Sequence, residues 1–162
     1  MVYNNFNTFI NVTPVASFMK SIEFEQGCGS YLKNAADANT PEIALERINH
    51  ALKYIEDKGL TQGYTSIFWK TEDENVEFWY MNIKACQKEL VCCLNGTQLE
   101  KSNVLMKVRE SLTDNGEKGI ELTIPNGIHK FPENGLFVGG YLFSILFACF
   151  GIVQFRIAVD KW

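Results

Sequence analysis

Apolar positions along this chain recur at helical intervals through its middle, and near the end they cease to alternate with polar ones. Leu45, Ile48, Leu52 and Ile55 are spaced three, four and three apart, the rhythm that lines one face of an α-helix. Thr40-Pro41-Glu42 precedes them, with a hydroxyl to cap, a proline suited to the first helical position and an acid at the positive end of the dipole. Lys58-Gly59 is the matching stop, so a helix is predicted over 41–58. Trp79, Ile83, Cys86, Leu90 and Cys93 form a second seam, predicting a helix that is capped by Asp73 and runs to about Leu94. Asn95-Gly96 closes it. Thr97-Gln98-Leu99-Glu100 then has the form of a capping box, opening a helix with Leu105, Val108 and Leu112 on its inner face.

The flanking segments are less regular. A first helix is expected from Val15, with Phe18, Ile22, Leu32 and Ala36 on one side and Gly27 and Gly29 interrupting it. Residues 60–72 connect helices, with a short extended piece around Tyr64 to Trp69. Asp114 to Gly119 reads as a loop turning at Asp114-Asn115-Gly116. Ile120, Leu122 and Ile124 alternate before Pro125-Asn126-Gly127, which predicts a small hairpin or strap. Residues 1–14, with Asn4, Asn5, Asn7, Asn11 and Pro14, read as an irregular arm.

From Gly135 the polar positions all but vanish. GLFVGGYLFSILFACFGIVQF holds 21 residues without a charge and, as a helix, spans about 32 Å, against a hydrocarbon core of about 30 Å. A buried helix of that length in a soluble protein normally carries a polar stripe, whereas here only Ser144 and Gln154 are strongly polar. Arg156 can reach back toward headgroups and Trp162 is an amphipathic ring, so both are expected as interface anchors. Gly140, Ser144 and Ala148 recur every fourth residue, with Gly151 nearby. That small-residue face allows a second helix to approach closely, although small residues are common in spans generally.

These patterns predict a mainly α fold: a small antiparallel bundle of about four helices with a short β or irregular strap, followed by one C-terminal transmembrane helix. The expected organisation is an arm over 1–14, a soluble helical domain with its strap over 15–134, a transmembrane helix over 135–159 and a short tail over 160–162. Hydrophobic residues make up 46% of the 162 and charged residues 21%, which excludes disorder throughout. The residues before 135 include 13 basic and 18 acidic ones, so no basic face is expected and nucleic acid is not an expected partner. Charges flanking the apolar run are nearly balanced and say little about orientation. The first 14 residues lack a basic start followed by an apolar run. A tail-anchored, single-pass protein with its soluble domain in the cytoplasm is therefore the expectation.

Chemistry is sparse. Of the five cysteines, Cys149 lies in the apolar run and Cys86 and Cys93 on a helical seam, where thiols serve packing. There is no CxxC pair and there are two histidines, so no metal site and no cofactor are expected. His50 falls on the polar side of its helix and His129 just before the span. Either could act as base to Cys28, yet nothing local sets up that geometry. Phosphate-loop, zinc-protease, nucleophile-elbow and dinucleotide motifs are absent, and no catalytic residue is assigned. The triplets Asn11-Val12-Thr13 and Asn95-Gly96-Thr97 are glycosylation acceptors only in a secretory lumen.

Tyr64, Phe68, Trp69, Phe78, Trp79 and Tyr80 crowd around the acidic loop TEDEN. Trp79 belongs to the helical seam and is assigned to the core. Tyr64, Phe68, Trp69, Phe78 and Tyr80 are the candidate partner surface, with core packing as the alternative. The expected function is non-enzymatic: an assembly, scaffold or accessory subunit of a membrane protein complex. Its partners would be membrane lipids and either other membrane subunits or copies of itself. The alternatives are a self-associating effector that perturbs membrane permeability and, behind it, a thiol- or metal-dependent enzyme.

Overall fold

The computed structural model describes residues 14–68, 70–116 and 119–159. All but the last residue of the expected arm, Trp69, and the 160–162 tail with Trp162 lie outside the described residues. Among the described residues, five helices, one pair of strands and two short 3-10 turns make up the regular structure. Helix α1 is continuous over 14–36, with a π-helical segment at Glu25–Gly29 and α-helix resuming at Ser30–Ala36. Then come α2 (Pro41–Asp57), α3 (Val76–Cys93), α4 (Gln98–Leu112), β1 (Thr113–Gly116), β2 (Gly119–Leu122) and α5 (Asn134–Val159).

The second half of α1 packs on α2, α2 on α3, α3 on α4, and α4 returns to α1. Leu32, Ile48, Ile55, Ile83, Leu90 and Val108 are fully enclosed between them. The seam read on α3 is buried along its whole length, from Trp79 to Cys93. On α4 Val108 and Leu112 are buried and Leu105 is partly so. Arg109 Nε donates to the Ala36 carbonyl at 2.9 Å, satisfying an acceptor that the end of α1 leaves open.

Local start signals work as their chemistry requires. Thr40 Oγ1 accepts from Ile43 N at 3.4 Å, and the Thr97–Glu100 capping box closes in both directions. For α3 the cap is Asn75, not Asp73: Asn75 Oδ1 accepts from Phe78 N at 3.1 Å. Asp73 sits instead in a short 3-10 turn, Glu72–Glu74, which sets the extended Asn75 at the helix start.

Helix α1 departs from expectation in two ways. It runs through Gly27 and Gly29 rather than breaking there. At Gly27 a Cβ would stand 2.3 Å from the Tyr54 ring, so this glycine permits a close approach between helices. The expected inner face is also split: Leu32 and Ala36 are buried, whereas Phe18 is 65% and Ile22 36% exposed. A π turn holds about one residue more than an α turn, so it rotates the rest of the helix by roughly 100°. Phe24 thereby aligns with Cys28 and Leu32 in the core, and Phe18 and Ile22 are turned outward.

The hairpin also lies upstream of its expected place. Thr113 pairs with Leu122, Asp114 with Glu121 and Asn115 with Ile120, so Asp114 and Asn115 are strand residues rather than turn residues. The helix that ends at Leu112 delivers the chain directly into β1. The turn at Pro125-Asn126-Gly127 holds, with Gly127 at φ +74 and Ile128 N donating to the Pro125 carbonyl at 3.2 Å. Ile128 plugs into the core, and the strap leads to α5. Around Tyr64 the expected extended piece is reduced to one bridge, Tyr64 with Asn75.

Candidate functional site

The first turn of α5 is tied to the domain by a small set of polar contacts. Asn134 Nδ2 donates to the carbonyls of Thr65 at 2.7 Å and Tyr64 at 3.4 Å. Those carbonyls belong to a loop that is itself held: Thr65 N donates to Glu74 O at 3.1 Å, and Val76 N to Gly63 O at 2.9 Å. The start of α3 therefore braces the loop that braces the root of α5. From the other side the Lys20 ammonium pairs with Glu133 and lies 5.6 Å above the Phe137 ring. Phe137 is buried. In the sequence Glu133 and Asn134 read only as polar flanks. Their partners lie 113 and about 70 residues away, a distance at which no local pattern is informative.

Beyond that root α5 is an apolar rod. Within Asn134–Gln154 the most apolar 18 residues have a mean hydropathy of 2.3 and only 6% of them are buried, so it is not a core helix. It is long and apolar enough to cross a membrane. Within it Ser144 Oγ donates to Gly140 O at 2.8 Å, which satisfies the hydroxyl inside its own helix. Ser144 is half-buried, Ala148 and Gly151 are exposed, and no described side chain crowds the Gly151 Cα. The rings of Phe143 and Phe147 stand 5.4 Å apart on the same helix. Arg156 is exposed near its far end.

The structure disperses the aromatic cluster. Trp79 is buried beside Phe24, their rings 6.5 Å apart. Tyr80 is half-buried, and its hydroxyl donates to Glu56 Oε1 at 2.8 Å while Lys84 lies over its ring. Tyr64 is half-buried under Lys70. Phe68 and Phe78 remain 67% and 58% exposed, and Met81, one turn from Phe78, is exposed with it.

An open cleft of about 400 Å³ runs between the start of α3 and the hairpin. Glu72, Asp73, Asp114 and Glu121 bring four carboxylates to it, with Phe78 and Asn82 on its α3 side. Three buried polar atoms near the α3 start, Thr65 Oγ1, Glu74 Oε2 and Trp79 Nε1, have no hydrogen-bond partner among the described residues.

The thiols and imidazoles do not converge. Cys28 is fully enclosed, and burial, with Glu25 adding to it, pushes its thiol up to about 12. Burial also raises the Cys86 and Cys93 thiols, and Cys93 Sγ donates to Leu90 O. Cys92 and Cys149 are exposed. His50 stacks on Tyr31 at 5.1 Å. His129 is held below its ordinary range by burial and by neighbouring Lys130. Among the described residues no three His, Cys, Asp or Glu side chains come together in a way that could hold a metal ion. In the Asn95-Gly96-Thr97 triplet the threonine hydroxyl serves the α4 cap. Comparison with family models, characterised proteins and solved structures returns no match for this chain.

Proposed function

We propose that this chain is a single-pass membrane protein whose helices α1–α4 form an antiparallel bundle on the cytoplasmic side. In this reading it serves as a non-enzymatic assembly, scaffold or accessory subunit of a membrane complex. The observation that carries the reading is the exposed apolar rod α5, fixed at its root by Asn134, Glu133 and Lys20. Its leucine, isoleucine, valine and phenylalanine side chains would each forfeit about 1.5–3 kcal/mol by standing in water. A bilayer removes that penalty. The face of Gly140, Ser144, Ala148 and Gly151 is the natural contact for a second helix, because small side chains let backbones approach closely. Within the candidate partner surface, Phe68 and Phe78 are the described residues with most area to offer a partner.

The test is extraction in a mild detergent, followed by native mass and identification of co-purifying proteins. The expected result is resistance to alkaline carbonate extraction and an assembly larger than one chain. Ser144→Leu combined with Ala148→Leu should reduce that mass. Release by carbonate would overturn the membrane assignment, and a lone monomer with no constant partner would overturn the assembly role.

A further inference from the structure

Lys20 joins the first half of α1 to the root of α5, through Glu133 and the Phe137 ring. On the other side of the same helix stand Val15, Phe18, Met19 and Ile22, all exposed. At 3.6 residues per turn these four occupy an arc of roughly 100°, on the side opposite Lys20 and Phe24. This outward stripe is a consequence of the π turn at Glu25–Gly29, which leaves it out of phase with the buried face of Ser30–Ala36.

Depth along α5 decides what meets the stripe. Phe137 lies three residues past Asn134, about 4.5 Å along the helix, yet protein covers it. The domain therefore reaches past the first turn of the apolar rod at the point where Lys20 touches it. A bilayer that surrounds α5 from that turn onward also reaches the outer side of residues 15–22. We infer that this stripe is a second, shallow membrane contact whose ligand is the headgroup–acyl boundary of the bilayer that α5 crosses. Amphipathic helices bury their apolar face about 5–10 Å into that boundary. Ser21 and Glu23 border the stripe, and Lys20, on the opposite side, is already paired with Glu133. Attachment is thus by apolar burial and does not require anionic lipid. Two contacts, one spanning and one lateral, hold the domain at a fixed angle to the membrane.

The inference rests on α5 being a span, and the experiment separates the two. The full chain, carrying Cys92→Ser, Cys149→Ser and Phe18→Cys, is labelled at the new thiol with an environment-sensitive fluorophore. It is then reconstituted in phosphatidylcholine vesicles that contain spin-labelled lipid. A Cys92→Ser chain labelled at its native Cys149 reports on the span, and Met106→Cys in the doubly substituted background reports on a part of α4 distant in sequence from both contacts. The expected result at the Phe18 position is blue-shifted emission that loses most of its intensity to lipid labelled near the headgroup. Cys149 should be quenched by lipid labelled deep in the chain, and Met106 by neither. Quenching at Cys149 without quenching at Phe18 overturns the lateral contact and leaves the span. Blue-shifted emission at Phe18 that lipid does not quench also overturns it, because protein then covers the stripe. No quenching at Cys149 overturns both.

Discussion

At Gly27 a hydrogen stands where any other side chain would place a carbon 2.3 Å from the Tyr54 ring. Alanine in a helix ordinarily gains about 1 kcal/mol over glycine, but overpacking costs about 1–3 kcal/mol. Gly27→Ala is expected to lower the thermal midpoint, and in a double-mutant cycle the penalty should vanish in a Tyr54→Ala background. Gly29 gives the contrast. There the obstructing atoms belong to the Glu25 carboxylate, the far end of a flexible side chain that can swing aside, so Gly29→Ala should be close to neutral. Both glycines read in the sequence as helix breakers. Only the ring of a residue on another helix shows what the first one is for. Cys28, between them, is enclosed, and its thiol stays neutral at physiological pH. That state gives no support to a nucleophilic role.

Helix α3 shows how far element boundaries were legible. Its seam, with the period of an α-helix, was written in the sequence because burial on one face demands that spacing. Its cap was not, because Asp73 and Asn75 are both good capping residues and only the backbone decides between them. Asn75 is extended and its side chain meets Phe78 N. Asn75→Ala is expected to lower stability by about 1 kcal/mol, whereas Asp73→Ala should change it by less than about 0.5 kcal/mol. Urea titration of the two variants checks both. In α4 the Thr97–Glu100 box was readable in full, since each partner of each hydrogen bond lies within four residues.

Across the whole molecule, glutamates tie helices together at their exposed edges. Glu23 is held low by its hydrogen bond from Lys58, and Glu56 by hydrogen bonds from Tyr80 and then Lys84. These join α1 to the end of α2, and α2 to α3. A carboxyl whose folded pKa lies below its unfolded value of 4.5 lends stability that is complete above that pH. The contribution is lost as pH falls through the folded value. The thermal midpoint is therefore expected to drop as the solution is acidified below 4.5, and the drop should be shallower in Glu56→Gln. Because these pairs are solvent-exposed, the effect should be modest and should weaken with added salt. Melting curves at stepped pH in low and high salt test the slope and its screening.

What the chain by itself determined is everything that depends on neighbours a few residues apart. The helical seams of α2, α3 and α4, the Thr40 cap, the Thr97 box and the uninterrupted apolar run of α5 all belong here. Their physics is local: hydrogen bonds to the next turn, one-sided burial and hydropathy summed over a window. The tertiary structure alone decided which way α1 faces, where the hairpin pairs and what roots α5. Phe18 and Leu32 share a face on any uniform helical projection, and only the π turn beside Tyr54 parts them. Asn134 finds its carbonyls, and Lys20 its carboxylate, across stretches of chain that folding must first bring together. Such contacts leave no periodic trace in the sequence, because their spacing is set by the packed helices rather than by the backbone repeat.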